Sequence, residues 1–308
     1  IFDFLEADLL EMKTVGSYGE APAVEYVSQK GKSLLTERFS IYEGRGTVEA
    51  NAYTQLLTPE SPMKTGNILI DAAEYVLTNG DATELLGNTI SFYYRQKKGQ
   101  ELPELLYAES AGHSERLELE GKDILSAGNS GLTYQGESRV QTARFSSYAV
   151  VIKNGKMVPF SSDDFMSENG TLTLIDNDGD GYYDVLKVMD YETYVILETG
   201  TSNYEVTTRS GVTLSFDPEE QGCDIVIIKN GAKSSYDQLA AGDVISYAAS
   251  SGAGRNLKTA LVSSETVSGD IQEIDDEGIT VEGNYYEAVE SVRTGVSVGK
   301  SAIFYQDV

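Results

Sequence analysis

Short segments in which apolar and polar residues alternate run through most of the chain, and glycine-containing turns separate them. In one of these segments Leu172 and Leu174 alternate with Thr171 and Thr173, which is the period-2 pattern of a strand with one buried face. From residue 46 onward such segments recur at intervals of about 8–12 residues, a spacing typical of β-sandwiches and barrels. Because none of them alternates with a long helical segment, we expect no parallel sheet. The pattern predicts a mainly β protein built from tandem small β-barrel or sandwich modules.

The first 45 residues follow a different pattern. Apolar residues recur there at steps of 3, 4 and 3, the spacing of an amphipathic helix; they are Phe2, Leu5, Leu9 and Met12. A second short helix is predicted from Pro22, since proline is favoured in a first helical turn. Its apolar residues would be Val24, Val27, Leu34 and Leu35. This predicted N-terminal helical segment either packs on the neighbouring modules or docks on another subunit.

Several short sequence patterns occur more than once, which indicates repeated structural units. Residues 46–48 and 87–93 are matched by residues 269–271 and 299–305. Residues 151–155 are matched by residues 227–231, and both copies end in Asn-Gly, the strongest short-range signal for a β-hairpin. The repeats divide the chain into an N-terminal segment and four β modules, the last of them short or incomplete. The predicted boundaries are 1–45, 46–109, 110–197, 198–266 and 267–308.

An acidic loop between two strand-like segments carries the clearest chemical signal. Asp176, Asp178, Asp180 and Asp184 occupy its positions 1, 3, 5 and 9, which is the ligand spacing of an EF-hand-type calcium loop. Glycine at position 6 allows a sharp turn, and the main-chain carbonyl of Tyr182 at position 7 would point at the same ion. Carboxylates this close repel one another unless a cation lies between them. Oxygen ligands without His or Cys favour Ca²⁺, so these five residues are the predicted ligands of a structural calcium ion.

The loop departs from the EF-hand pattern at position 12, where Lys187 replaces the bidentate glutamate. The residues that follow are β-formers such as Val188 and Tyr194, so the loop is predicted to be the tip of a β-hairpin, with no helix–loop–helix. Asp190 or Glu192 on the following strand would supply a further ligand. The alternative interpretation is a solvated acidic turn without a metal ion.

Composition and charge exclude some functions. The chain has 23 basic and 49 acidic residues and a net charge of −26, which repels nucleic-acid phosphates and fits a secreted protein that binds divalent cations. No apolar run approaches the roughly 18 residues that would cross a membrane. The only histidine, His113, lies in a polar turn, and the only cysteine, Cys223, lies beside an apolar run and is expected to be buried and inert. With no nucleophile beside a base, the chain is predicted not to be an enzyme.

The acidic loop and its flanks, residues 170–188 and 191–195, resemble part of large cell-surface proteins of Gram-positive anaerobes that carry S-layer-homology modules. Residues 151–156 and 30–42 resemble the same region of those proteins. The similarity covers the chain from about residue 23 onward and involves their central β-module region, which does not contain the anchor modules. It implies an extracellular location at the bacterial cell surface, with any anchor outside these residues.

Three functional hypotheses follow. The first is a non-enzymatic structural or assembly protein of a surface layer, fibre or stalk, stabilised by calcium and forming homo-oligomers or polymers through β edges or the N-terminal helix. The second is a carbohydrate- or cell-wall-binding accessory region of a larger surface enzyme, in which tyrosines stack on sugars. The third is a hydrolase that uses a pair of carboxylates, which the sequence does not single out.

Overall fold

The computed structural model describes residues 11–18, 21–27, 34–58, 61, 63–78, 80–167, 169–201 and 203–307. These residues form 25 strands and three short α-helices. The prediction of a mainly β protein is therefore confirmed. No helix in the described ranges has the length and apolar character that crossing a membrane requires.

The N-terminal segment contains an antiparallel hairpin where the sequence predicted helix. It is formed by β1 (Glu11–Tyr18) and β2 (Ala21–Val27), and α1 (Leu34–Phe39) follows. The predicted second helix from Pro22 is therefore wrong over β2, because valine and tyrosine favour extended backbone and β1 supplies the pairing strand. Most of the predicted first helix lies outside the described residues, and its last apolar position, Met12, lies in β1.

The first unit (residues 41–110) is a closed five-stranded barrel. Its elements are β3 (Ile41–Ala50), β4 (Asn67–Ile70), β5 (Ala73–Leu77), α2 (Ala82–Leu85), β6 (Thr89–Arg95) and β7 (Glu104–Ser110). The strands close in the order β3-β4-β5-β7-β6, so that β7 lies between β5 and β6. Apolar side chains from all five strands form the core, and Leu105 of β7 is fully buried in it. A side chain at Gly46 would come within 2.7 Å of Ile70, which is why only glycine fits there.

The second unit (residues 115–190) is an open seven-stranded sheet. Its strands are β8 (Glu115–Glu120), β9 (Ile124–Gly128), β10 (Gly131–Gln135), β11 (Val140–Lys153), β12 (Lys156–Val158), β13 (Gly170–Asp176) and β14 (Tyr183–Asp190). They are hydrogen-bonded in the order β8-β13-β14-β11-β10-β9, and β12 pairs with β11. Two 3₁₀ turns, Gly121–Asp123 and Ser162–Phe165, lie between strands, and Phe165 is fully buried in the core of the unit.

The third unit (residues 192–263) is a second open sheet of seven strands. They are β15 (Glu192–Thr199), β16 (Glu205–Thr208), β17 (Thr213–Ser215), β18 (Cys223–Lys229), β19 (Ala232–Ser234), β20 (Val244–Ala249) and β21 (Asn256–Ser263). Their order is β17-β16-β15-β20-β21-β18-β19, and a 3₁₀ turn lies at Tyr236–Gln238. The residues after β14 therefore belong to this sheet through the pairing of β15 with β20.

The second and third units share a repeated core arrangement. Strands β18 to β21 pair with one another as β11 to β14 do: a hairpin, a parallel pair and an antiparallel pair. Asn154 and Asn230 occupy the same hairpin corner, each with a φ of 50°. Their N–H groups donate to Val188 O and Val262 O, at 2.8 Å in both copies. The repeat predicted from residues 151–155 and 227–231 is thus confirmed.

Parallel pairing is the main departure from the predicted architecture. Strand pairs β5–β7, β11–β14 and β18–β21 are parallel. In each case the connection runs through intervening strands and short turns, so a parallel pair forms without the long crossover helix that the sequence analysis required. Among the described sheets only that of the first unit closes into a barrel, so the predicted series of small barrels or sandwiches is not confirmed.

The fourth unit (residues 266–305) is a four-stranded sheet. It consists of β22 (Thr266–Ile274), β23 (Gly278–Val281), β24 (Asn284–Glu287), α3 (Glu290–Gly295) and β25 (Ser301–Tyr305), in the order β24-β23-β22-β25. Its strands β22 to β25 repeat the arrangement of β3 to β6 in the first unit. Gly269 pairs with β25 as Gly46 pairs with β6.

Polar contacts join the units. The buried Lys156 of the second unit donates from Nζ to Arg255 O at 3.2 Å, in the loop between β20 and β21, and to Asn256 Oδ1 at 2.8 Å, at the start of β21. The hydroxyl of Tyr53 in the first unit donates to Asp224 of the third at 3.1 Å. The third unit is therefore in contact with both the first and the second.

Candidate metal centre

The acidic loop is the tip of an antiparallel hairpin. Strand β13 ends at Asp176 and β14 begins at Tyr183, and the last paired residues are Ile175 and Val185. Gly179 and Gly181 within the loop have φ values of 78° and 85°, a conformation that glycine adopts without strain. No helix follows, so the predicted hairpin is confirmed.

Asp176 lies at the centre of the loop. It is 1% exposed, and its carboxylate accepts hydrogen bonds from the backbone N–H groups of Gly179 at 2.7 Å and Gly181 at 2.8 Å, with Asp178 N at 3.2 Å. Burial alone would favour the neutral carboxyl, but the converging N–H groups together hold the pKa of Asp176 below its ordinary value. The sequence therefore folds this loop around an ionised carboxylate.

Three of the predicted ligands come together. One carboxylate oxygen from each of Asp176, Asp178 and Asp184 lies within 4.8 Å of the others, the only such group of three found among the described residues. Burial, together with the nearby charges of Asp178 and Asp176, raises the pKa of Asp184, although a hydrogen bond from Asn177 N at 3.0 Å opposes the shift. The three oxygens form an acidic cluster of the size and chemistry that a hard divalent cation binds.

The other carboxylates considered as ligands lie outside this cluster. The exposed carboxylate of Asp180 accepts a hydrogen bond from Tyr182 N at 2.8 Å and is not part of the group of three. Asp190 and Glu192, considered as further ligands, are at the opposite end of the hairpin, since Asp190 is paired with Gly170. Asp190 forms an ion pair with Lys153 at 2.8 Å. The strand that follows the loop runs away from the tip and carries these two residues out of reach of the cluster.

Asn177 connects the loop to the first unit, a role that the sequence analysis missed. Its side chain donates to Gly87 O at 2.8 Å and accepts from Thr89 N, also at 2.8 Å. A side chain at Gly87 would approach Val185 to 2.7 Å, so glycine is needed for this close contact. The signal available in the sequence was an amide at position 2 of the loop, a position that supplies no ligand in the EF-hand pattern.

Lys187 lies at the same junction. Its ammonium group donates to Glu84 O at 2.7 Å and to Thr83 O at 3.1 Å, in α2 of the first unit. Burial lowers the pKa of Lys187 to about 8, while the nearby Glu84 acts in the opposite direction. Position 12, which supplies a ligand in an EF-hand, here contacts the neighbouring unit.

An apolar cluster completes this junction. Leu86 of the first unit packs with side chains of the second unit; they are Ile152, Ile175 and Val185. All four are buried, and Leu56 packs against them. The cluster fixes the strands that carry the acidic tip directly against the first unit.

The only histidine and the only cysteine of the sequence lie in different surroundings, and the main-chain carbonyl of His113 lies beside Gly179 of the acidic loop. His113 is exposed in a turn. Cys223 is buried, and burial raises the pKa of its thiol, which reduces the thiolate fraction that a nucleophile requires.

The fold and the acidic tip define a mainly β protein of packed repeat units with one candidate cation centre at a unit junction. Comparison of the chain with protein-family models, curated proteins and solved structures finds no match.

Proposed function

We propose that this chain is an extracellular structural protein of the bacterial cell surface, part of a surface layer, fibre or stalk, in which calcium stabilises the junction between two β units. The observation that carries the proposal is the position of the acidic cluster: the loop that contains it is bonded to the first unit through Asn177. A cation held by Asp176, Asp178 and Asp184 stiffens the loop and, through it, the junction.

The chemistry of the cluster favours calcium among metal ions. All three groups offer hard carboxylate oxygens, and Ca²⁺ accepts six to eight oxygen ligands in flexible arrangements, with main-chain carbonyls and waters completing its shell. The main-chain carbonyl of Tyr182 and the carboxylate of Asp180 are the nearest sequence candidates for that role. The ion is structural, since it lies at a packed junction.

Contacts between the other units support a scaffold role. Besides Lys156, the pairs Lys122–Glu287 at 2.8 Å and Arg209–Tyr305 at 2.6 Å connect the fourth unit to the second and third. A chain of units with fixed mutual orientation is what a stalk or layer needs. The surface location rests on the resemblance of the loop region and on the net charge of −26.

Calcium binding is tested by calorimetric titration of the metal-free chain, followed by thermal unfolding with and without calcium. The expected result is saturable binding at one site and a raised Tm, and Asp178→Asn is expected to weaken binding by about tenfold or more. The matched control is Asp275→Asn, which changes an exposed acidic turn residue of the fourth unit; its carboxylate accepts backbone N–H groups, as that of Asp178 accepts from Asp180 N. Equal calcium binding by D178N and wild type would contradict the proposed site.

Asp180→Asn decides the ligand set. If the three clustered aspartates suffice, D180N binds calcium nearly as well as wild type, whereas a loss as large as that of D178N would restore Asp180 as a direct ligand. Self-assembly is tested separately by light scattering at rising protein concentration. A chain that stays monomeric with and without calcium would contradict homo-oligomer or polymer formation.

The second candidate function, carbohydrate or cell-wall binding, has one supporting observation. A hollow of about 330 Å³ in the third unit is lined by Tyr204 and Tyr236, whose rings meet edge to face at 5.4 Å, with Asp237 beside them. Aromatic rings and carboxylates are suited to sugar binding. Retention on a cell-wall polysaccharide column that is lost in Tyr204→Ala would favour this function over the scaffold alone.

A further inference from the structure

One segment of the second unit carries almost no negative charge. Residues 124–162 contain one acidic residue and four basic ones; they are Glu137, Arg139, Arg144, Lys153 and Lys156. With 49 acidic residues in 308, a segment of this length would carry about six at the average frequency of the chain. Because the whole chain has a net charge of −26, this segment is where an anionic ligand meets the least repulsion.

Three strands of this segment, β9, β10 and β11, present a polar outer face. Ser126, Thr133 and Thr142 lie side by side in register across it, and Ser126 Oγ is 2.7 Å from Thr133 Oγ1. The opposite face, which includes Leu132 and Ala143, is buried in the core of the unit. The outer face therefore offers a row of three hydroxyl groups, each able to donate and accept hydrogen bonds.

A hollow lies in this face beside the hydroxyl row. Two positions further along the strands, the residues in register are Gly128, Gly131 and Arg144, and the two glycines place no side chain over the sheet. The hollow has a volume of about 450 Å³, and the hydroxyl row, Arg144 and Tyr182 line it. Sites for small molecules typically have volumes of roughly 300–1,000 Å³, so this hollow has room for a sugar unit.

Arg144 is the charged group of the hollow. It is exposed and forms no ion pair with a described residue. Arg116 of the same unit, by contrast, lies 2.8 Å from Glu118 and 3.7 Å from Glu84. The guanidinium group of Arg144 is therefore available to bind a carboxylate through two parallel N–H bonds.

Tyr182, in the acidic loop, supplies an aromatic side to the hollow. It is 42% exposed, and the face of its ring is an apolar surface for a sugar ring to pack against. An acidic peptide would pair with Arg144 but leave the hydroxyl row without a matching set of groups. Nucleic acid is repelled by the net charge of the chain. The combination of hydroxyls, one cation and one aromatic ring matches a sugar that bears a carboxylate.

We propose that this hollow binds a uronic-acid unit of a polysaccharide. Arg144 holds the carboxylate, the hydroxyl row bonds to the sugar hydroxyls, and the ring of Tyr182 packs against one face of the sugar. The site is separate from the hollow at Tyr204 in the third unit, and neither calcium binding nor self-assembly enters into the inference.

The test is calorimetric titration of the full chain with trigalacturonate, in calcium-free buffer so that no metal ion bridges carboxylates. Saturable one-to-one binding is expected, and the neutral methyl ester of the same trisaccharide is expected to bind about tenfold more weakly or worse. Arg144→Gln is expected to weaken binding about tenfold or more. The matched control Arg139→Gln removes the same charge from an exposed residue outside the hollow and should bind as wild type does.

Recognition of the sugar is separated from attraction of its charge by two further measurements. Thr133→Val removes the central hydroxyl with nearly the same side-chain shape and is expected to weaken binding about threefold to tenfold. Triglutamate carries the same charges without sugar hydroxyls and should not compete with trigalacturonate. Failure of the wild-type chain to bind trigalacturonate, equal binding of the methyl ester, equal losses in R144Q and R139Q, or full competition by triglutamate would overturn the proposal.

Amide NMR shifts during the titration give the position of the bound sugar. The largest shifts are expected at Gly131, Thr133 and Arg144, which lie on the floor and side of the hollow. Shifts confined to the third unit around Tyr204 would place the sugar there and would also overturn this inference.

Discussion

At the scale of single residues, Asn177 is the contact through which the acidic loop holds the first unit. Both ends of its amide are used: Nδ2 donates to Gly87 O, and Oδ1 accepts from Thr89 N. Thr89 is also the residue whose carbonyl pairs with the chain just after β7. One side chain therefore connects the candidate metal loop to the closing edge of the barrel.

Replacement of Asn177 by alanine is expected to destabilise the protein by about 2–3 kcal/mol, because it leaves a part-buried N–H and a carbonyl without their partners. Urea unfolding would measure the loss. The matched control is Asn203→Ala, an exposed residue whose side chain donates to Glu205 of the same unit and whose loss should change stability by about 0.5 kcal/mol or less. A loss for N177A no larger than for N203A would contradict the assigned contact.

Lys187 predicts a pH dependence of stability. Its folded pKa of about 8 lies below the ordinary value of 10.5, so the fold disfavours the charged form, and the unfolded chain binds the proton more tightly. The cost is fully present below pH 8 and disappears as the pH rises from about 8 to 10.5. Over that window wild type should gain roughly 3 kcal/mol relative to Lys187→Met.

The comparison with K187M is the control, since tyrosines that titrate in the same range contribute equally to both proteins. Unfolding free energies would be measured in denaturant at several pH values. A constant difference between the two proteins across the window would show that burial does not lower the pKa of this lysine.

At the scale of elements, the Asn-Gly corners of the two repeated sheets make different side-chain contacts. Asn154 is 8% exposed; its side chain accepts from Asp190 N at 2.8 Å and donates to Ala249 O of the third unit at 3.1 Å. Asn230 is exposed, and its side chain bonds only to Ser264. The asparagine at this corner therefore bonds to a neighbouring unit in the second unit, and only to a nearby residue in the third.

Glycine substitutions should separate the two roles, since glycine keeps the positive φ and removes only the side-chain hydrogen bonds. We expect Asn154→Gly to cost about 2–3 kcal/mol and Asn230→Gly about 1 kcal/mol or less. Chemical unfolding of the two variants side by side is the measurement. Equal losses would mean that the contact with Ala249 contributes nothing.

Local pattern was sufficient to predict the elements themselves. Asn-Gly at 154–155 and the Leu-Thr alternation at 171–174 predicted hairpins that the structure contains, because both signals concern residues that are adjacent in the chain. Strand partners were not predictable in this way. The pairing of β11 with β14 joins residues 35 to 38 positions apart, with other strands between them in the chain, and no sequence period indicates such a pairing. Pro22 misled because a few apolar residues in a short segment fit helix and strand spacing alike.

The candidate metal site was also predictable only in part. Spacing identified Asp176, Asp178 and Asp184, which lie in one loop where turn geometry is local. It could not identify Asn177 or Lys187 as junction residues, because their partners Gly87 and Glu84 lie in another unit.

At the scale of the whole molecule, Lys156 links the second unit to the third. It is 2% exposed and its ammonium group is enclosed by carbonyl and amide oxygens of the loop at residues 250–255 and of Asn256. A buried ammonium group is tolerated only with such partners. The second and third units are therefore joined by polar interior contacts of Lys156, in addition to the contact of Asn154 with Ala249.

Lys156→Met is expected to uncouple the unfolding of the second and third units. The variant leaves the carbonyls of the loop at residues 250–255 unpaired, while both sheets keep their own cores. Differential scanning calorimetry should resolve two transitions where wild type gives one. Lys233→Met is the matched control, an exposed lysine in the corresponding short strand β19. A single transition in K156M at the wild-type temperature would contradict the coupling.

The corresponding loops of the second and third units both reach toward the unit before them in the chain: Asn177 toward Gly87, and Ala253 and Arg255 toward Lys156. The first and second units are thus each bound by a loop of the unit that follows in the chain. During synthesis on the ribosome, the first unit therefore lacks its contacts with Asn177 until the second unit has emerged. We expect protease resistance of ribosome-bound chains to rise in steps as each loop leaves the exit tunnel, and a uniform rise with length would rule out this order of locking.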